Sequence, residues 1–238
     1  MATAPLPYHT EHLESALAPV RLNVGCGSTV AATWVNIDNS PTMWLAQRPL
    51  LWSLARRLRL IPADMGDTPA WARRVTIADV RRRLPLPPAS VDAVYSSHFL
   101  EHLTREDGAH FLREARQVLK SGGVIRTVVP DLARVIEVYR RERAAGDEHA
   151  GDHFMESLAV LDTQLDRYPA WFRPLKRFLR TDVHRWLYDE ASLAALLREA
   201  GFIDIRRRLY LESAIPGIEE VEREGRVVES ICLEARKP

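Results

Sequence analysis

Cysteine is scarce: Cys26 and Cys232 are the only two in 238 residues, and both fall in predicted strands. So small a supply excludes a disulfide framework and fits a reducing, cytoplasmic setting. An excess of one charge sign is also missing. The formal net charge is +1, so no global field draws the chain to nucleic acid, and no nucleic-acid partner is expected. No apolar run is long enough to span a bilayer, so no integral membrane segment is expected. The start, MATAPLPYHTEH, lacks the basic patch and apolar core of a secretion signal. Internal repeats and low-complexity tracts are absent. What is present is apolar bulk, 46% of all residues. That is enough for one large α/β domain, 1–238, with an insertion at about 144–182.

The stretch RLNVGCGSTVAATWVNID, Arg21 to Asp38, organises the chain. It reads as strand, glycine turn, strand, acid. Gly25 and Gly27 let backbone approach a ligand with no Cβ in the way. A carboxylate at the tip of the next strand suits a ribose, because Asp38 can accept from both hydroxyls. A dinucleotide fingerprint wants a third glycine where Val30 stands, and a helix between the two strands. Neither is here. A phosphate-free nucleoside such as S-adenosylmethionine needs only the turn and the acid. Cys26 reads either as a nucleophile or as a small buried residue under the cofactor.

Further along, a loop from Asn39 leads to a basic amphipathic helix over about 49–60, which Pro49 opens. Its spacing sets Leu51, Leu54, Ala55 and Leu58 on one face, and Trp52, Arg56 and Arg59 on another. This is either a cover for the core with a solvated arginine face or a surface for membranes or acceptors. Val75 to Ile77 forms a short strand, after which Asp79 can accept the exocyclic amine of adenine. Val91 to Tyr95 is the next strand. Thr104 caps a helix whose buried stripe is Phe111, Leu112, Ala115, Val118 and Leu119. A fifth strand, Val124 to Val129, leads to Asp131, the cap of a helix from Leu132 to Arg143. Residues 144 to 182 show no clean period and read as an inserted cap carrying Tyr168, Trp171 and Phe172. Asp189 then caps a helix that buries Leu193, Leu196, Leu197 and Ala200. Phe202 to Arg208 and Val227 to Ala235, joined near Pro216-Gly217, close a seven-stranded sheet as an antiparallel hairpin.

These residues resemble a class I S-adenosylmethionine-dependent methyltransferase. The motifs that carry the resemblance are NVGCG at 23–27, VNID at 35–38 and IADVRRRLPLPPASVDAVYSSHFLEHL at 77–103, with LKSGGVIRTVVPD at 119–131 and HRWLYDEASLAALLREAGF at 184–202. The glycine loop with SSHFLEH and HRWLYDE is similar to a bacterial subgroup associated with polysaccharide and glycan genes. The resemblance implies a Rossmann-like α/β fold: seven strands, mostly parallel with an antiparallel last strand, helices on both faces, and the cap after the fifth strand. It also implies S-adenosylmethionine as cofactor. Asn23, Gly25, Cys26 and Gly27 then lie at its methionyl part and Asp38 at its ribose. Asp79, with Ala78 and Val80, lies at its adenine, and Ser96, Ser97 and His98 line the methyl-donor site.

Methyl transfer to a hydroxyl needs a base. His98 follows the fourth strand at the cleft and is the first candidate; a hydrogen bond to cofactor or backbone is the other use for its ring. His184 is a second candidate, with a structural contact as its other reading. Asp131 is a third, unless it only caps its helix. His153, in the cap, is a fourth. His102 and Glu101 read as structural. Asp131 with Asp152, His153 or His184 could also hold a divalent metal such as magnesium, though no spacing fixes the ligands. Ser-Ser-His-Phe stands where enzymes methylating amide or base nitrogens resemble Asn-Pro-Pro-Tyr, which favours an oxygen acceptor. The expected acceptor is a sugar or glycan precursor, and the expected protein partner is a second copy in a homodimer. A lipid or metabolite acceptor, and a non-catalytic S-adenosylmethionine-binding regulator, are the alternatives.

Overall fold

Four residues, two of them apolar, are enough to make an inner strand, because both faces of a parallel sheet are covered. Strand β1 (Arg21–Val24) pairs in parallel with β2 (Val35–Asp38) on one side and β4 (Val91–Ser97) on the other. The computed structural model describes residues 19–61, 70–160, 168–174 and 183–238. Across the sheet the order is β3-β2-β1-β4-β5-β7-β6, with β3 spanning Val75–Ile77, β5 Leu119–Pro130, β6 Ile203–Arg207 and β7 Ser230–Arg236. Strands β1 to β5 are parallel, and β7 runs antiparallel to both β5 and β6. This is the expected seven-stranded Rossmann-like sheet. The chain reverses its direction of growth between β1 and β4, so the C-terminal ends of those strands border the crevice where such sheets bind ligands.

Alternation along β4 builds two cores. Val94 faces helices α3 (Arg105–Val118) and α6 (Glu190–Glu199), in a cluster with Phe111, Leu112, Tyr188, Leu193 and Leu197. Ala93 and Tyr95 point the other way, toward Trp34, Ile218, Val221 and Cys232. The caps read from sequence are present. Thr104 accepts from Asp107 N, Asp131 accepts from Ala133 N ahead of α4 (Leu132–Ala144), and Asp189 forms a capping box with Ser192.

Four expectations need correction. Pro41–Ala46 is a helix, α1, capped by Ser40, where a loop was expected. Helix α5 (Ala150–Leu158) gives the cap region a regular element that packs on α4, Phe154 against Tyr139 at a ring separation of 5.0 Å. The last two strands are joined through a 3-10 turn (Ile218–Glu220) and a short helix α7 (Glu224–Val227), which takes Val227 out of the strand. Helix α2 (Pro49–Arg57) buries its Trp52 edge in place of the expected leucine face, of which only Ala55 is buried. Trp52 and Ala55 pack with Met43, Ala46 and Ala72, while Leu51, Leu54 and Leu58 are exposed. The indole offers more apolar area than any one leucine, and it takes the core position. The expectations for residues 1–18, and for the 161–167 and 175–182 parts of the cap, lie outside the described residues.

Strand β5 also holds an unexpected charge. Arg126 is fully buried, forks onto Glu222 at 2.7 and 2.9 Å, and reaches Glu234 at 3.1 Å. Its remaining N–H groups donate to the carbonyls of Glu212 and Leu209 at 2.8 and 2.9 Å. No helix among the described residues is long and apolar enough to cross a membrane.

Candidate active site

At the end of β1 the backbone turns through Gly25 and Gly27, both at positive φ. A Cβ on Gly25 would stand 2.5 Å from the Phe99 ring, so only glycine lets the β4 loop close over β1. A Cβ on Gly27 would meet nothing within 4 Å; its backbone faces open space. The loop that follows has no helix, and two buried asparagines pin it. Asn23 Nδ2 donates to Thr29 O at 2.9 Å and to Asn36 Oδ1 at 3.1 Å. Asn36 Nδ2 donates to the carbonyls of Ala31 and Trp34 at 2.8 and 2.9 Å. Asn23 therefore supports the turn from behind, and Asn36 does what a helix does in dinucleotide-binding folds. Asp38 is oriented by the N–H groups of Gly27 and Ser40, at 3.0 and 2.7 Å. A carboxylate has about four lone-pair sites, so two remain for a diol.

These groups open onto a cavity of about 670 Å³, within the range of small-molecule sites. Gly25, Gly27, Asp38, Ala78, Asp79 and Val80 line one half. His98, Phe99, His102, Tyr168, Phe172, Val183, Arg185 and Arg226 line the other. The first half fits S-adenosylmethionine: a glycine floor without side chains, a carboxylate at ribose height, and Ala78 and Val80 as apolar faces for adenine. Asp79 is already engaged, since Arg81 grips it at 2.9 and 2.8 Å. That grip holds its carboxyl below the usual range.

Other expected cofactor residues sit elsewhere. Asn23, Cys26, Ser96 and Ser97 are buried and do not line the cavity. The Cys26 side chain packs in the cluster of Met43, Trp52 and Ile61. Burial, reinforced by the Asp38 charge, pushes its thiol far above the usual range. A thiol so held is no nucleophile.

Of the four catalytic candidates the structure brings only His98 to the cavity wall. Asp131 is occupied as the α4 cap, with Arg207 3.7 Å from its carboxylate. His153 lies on the outside of α5, 3.3 Å from Glu142 and 3.6 Å from Asp147. Asp152 is exposed beside His149. None of these three reaches the cavity. His184 stands one layer behind the wall, with Nδ1 2.9 Å from Leu158 O. Burial, aided by neighbouring His102, holds its pKa below the usual range despite Glu101 nearby. His98 adopts positive φ, its Nε2–H donates to Arg226 O at 2.9 Å, and its Nδ1 lies 3.3 Å from Glu101 Oε1. Burial opposes its charged form, but Glu101 and the Arg226 carbonyl outweigh that and raise its pKa. With both ring nitrogens engaged, His98 is held in place more than it is available.

The residue that sequence reasoning set aside is His102. It follows β4 on the 3-10 turn Leu100–His102, and its Nδ1 donates to Val183 O at 3.2 Å. That leaves Nε2 with the lone pair, and the residue lines the cavity. His184 meets it edge-on, ring centres 5.2 Å apart. The backbone N–H groups of Arg185 and Trp186 donate to Glu101 O at 2.7 and 3.2 Å, which fastens the 183–186 segment to that turn.

Residues 22–127, a little under half of the chain, match a family profile described as a methyltransferase domain. No protein of curated function matches the sequence. Among solved structures the chain is similar to the S-adenosylmethionine-dependent methyltransferase SibL in its apo form, at 18% identity over 97% of this chain and 52% of that one, TM-score 0.45. It is similar to an S-adenosylmethionine-dependent methyltransferase of Archaeoglobus fulgidus, at 15% identity over 93% and 87%, TM-score 0.47. Human N-acetylserotonin methyltransferase in complex with S-adenosylmethionine matches at 14% identity over 92% and 47%, TM-score 0.42. The chain thus spans about half the length of the first and third of these.

Proposed function

We propose, from the premise that residues 22–127 are a methyltransferase domain with S-adenosylmethionine as donor, that the chain methylates a hydroxyl of a sugar or glycan precursor. The observation that carries this is His102, which lines the same cavity as Gly25, Gly27 and Asp38 and whose Nδ1 is spent on Val183 O, leaving Nε2 with a lone pair. When bound, S-adenosylmethionine supplies an electrophilic methyl group on a sulfonium. The chain's residues do the rest. Asp38 holds the ribose, the Gly25–Gly27 turn admits the methionyl backbone, and Ala78 and Val80 flank the adenine. His102 draws the proton from the acceptor hydroxyl, and His98, tied to Arg226 O and beside Glu101, keeps the β4 loop in position. Tyr168 and Phe172, with ring centres 5.9 Å apart, offer stacking faces for a sugar, and Arg185 and Arg226 offer polar contacts. Methylation of methylmannose polysaccharide at its 1-hydroxyl is one acceptor of this kind.

His102→Ala is expected to lower turnover about 10²–10⁴-fold, the usual worth of a placed base. Its affinity for S-adenosylmethionine should stay within about twofold. Single-turnover transfer from labelled S-adenosylmethionine to a panel of mono- and oligosaccharides reads the first, and calorimetry the second. Tight cofactor binding with no label in any acceptor would favour the non-catalytic alternative.

A second reading has its own support. Leu50, 87% exposed, joins Leu51, Leu54 and Leu58 on the outer face of α2. Leu45 and Leu60, packed against the same cluster as Trp52, line the cavity. Between Asp38 and Asp64 there is no acidic residue, while Arg48, Arg56, Arg57 and Arg59 are present. Such a helix suits an anionic lipid surface, and the hydroxyl would then be carried on an amphiphile. Leu50→Gln/Leu54→Gln should abolish sedimentation with phosphatidylglycerol vesicles; equal sedimentation by wild type and variant would rule this reading out.

A further inference from the structure

We propose that Glu101, His102 and His184 bind one divalent transition cation, of the manganese, iron, cobalt and zinc class, at the acceptor end of the cavity. One ligand atom from each of the three lies within 4.8 Å of the other two. Atoms around such an ion sit roughly 3 Å apart, for bonds of about 2.0–2.2 Å, so small side-chain rotations close the set.

Three further observations point to an ion. The Glu101 carboxylate is 0% exposed, and neither oxygen receives an aligned hydrogen bond among the described residues. His98 Nδ1 is in ion-pair range at 3.3 Å, but off the line of a hydrogen bond. A buried carboxylate faced by one imidazole keeps lone pairs that a cation can take. The tautomers of the two imidazoles also suit ligation. Carbonyls of Val183 and Leu158 take the Nδ1–H of His102 and His184, which leaves Nε2 on each as the lone-pair nitrogen. Metal-binding histidines are commonly fixed in this way. Lastly, His102 and Val183 line the cavity, which places the group beside the site already described.

The donor set decides the class of ion. Two neutral imidazoles and one carboxylate suit manganese, iron, cobalt or zinc; magnesium prefers oxygens and water. The magnesium expectation, and its Asp131, Asp152 and His153 ligands, are replaced accordingly. This deepens the hydroxyl reading and rests on it only for the ion's use. A cation at this wall lowers the pKa of a hydroxyl that reaches it, and His102 then acts as a ligand in place of a base.

The test is binding, read without donor or acceptor. Chelator-treated full-length protein is titrated with Mn²⁺ and followed by calorimetry and electron paramagnetic resonance. The expected result is one ion per chain, with nitrogen couplings from two imidazoles. Glu101→Gln and His184→Ala should each weaken binding at least about tenfold, with the far-ultraviolet circular dichroism of wild type. Should Glu101→Gln not fold, His184→Ala alone carries the comparison. His153→Ala, in the exposed Glu142–Asp147–His153 group, should bind as wild type. The site is overturned if no Mn²⁺, Co²⁺ or Zn²⁺ binds stoichiometrically, if His184→Ala binds as tightly as wild type, or if His153→Ala is the variant that loses the ion. A protein that binds no ion yet methylates a hydroxyl overturns the site and leaves the preceding reading standing. One that binds it but turns over equally under chelator overturns the ion's use.

Discussion

Arg126→Ala should lower the stability of the folded chain by about 3–5 kcal/mol, the usual cost of breaking a buried ion pair from one side. In a chain of this size that is a fall in melting temperature of about 6–20 °C. The guanidinium is fully enclosed, and each of its donors has a partner: both oxygens of Glu222, one of Glu234, and two backbone carbonyls. Removing it leaves the Glu222 carboxylate buried, with one oxygen still receiving Leu211 N–H at 2.7 Å. Glu234 keeps Ser213 Oγ–H, Ala214 N–H and an Arg208 contact at 3.4 Å, so the loss falls mainly on Glu222. Adding Glu222→Leu to Arg126→Met should recover much of the loss, because an apolar replacement has no charge to strand. Calorimetric melting of the single and double variants checks this. A shift below about 2 °C for Arg126→Ala would mean that the triad contributes little.

The triad also shows where sequence reasoning stopped. Val124 to Val129 reads as a strand, and β5 is one, but nothing local says that Arg126 stays inside. Its partners lie 96 and 108 residues away. Elements whose cause is local were legible: the glycine turn, the caps at Thr104, Asp131 and Asp189, and the stripe of α3. For α2 the spacing was right and the side was wrong, because helical periodicity defines faces without saying which one the rest of the chain covers. That these residues line one cavity was legible for a similar reason: Gly25, Gly27 and Asp38 are close in sequence, and the parallel order brings Ala78 to Val80 beside them. The acceptor half joins His102 to His184 through a backbone clamp on Glu101. No pattern in either segment announces that clamp. His102, one turn past the strand, reads with Glu101 as structural, while Asp131 and His153 are candidates by position alone.

Asp38→Ala should weaken S-adenosylmethionine binding about tenfold or more. Hydrogen bonds to a charged group contribute about 1.5–3 kcal/mol, and each 1.4 kcal/mol is a factor of ten. The backbone donors from Gly27 and Ser40 aim the carboxylate without exhausting its lone pairs. The same bonds mean that the variant also frees two N–H groups, so Asp38→Asn is the better-matched partner: it keeps an acceptor for the loop and loses the charge. Alanine should cost more than asparagine, and both should melt within a few degrees of wild type. Equal affinity in all three proteins would remove Asp38 from the ribose.

The central claim is that the turn at Gly25–Gly27 with Asp38 forms a phosphate-free nucleoside pocket. Its loop is pinned by Asn23 and Asn36 with no helix dipole to receive a pyrophosphate. Calorimetric titration of the wild-type chain with S-adenosylmethionine and, separately, with NAD tests it most directly. The account predicts one S-adenosylmethionine bound per chain and no saturable heat from NAD. Saturable NAD binding, with none for S-adenosylmethionine, would contradict it.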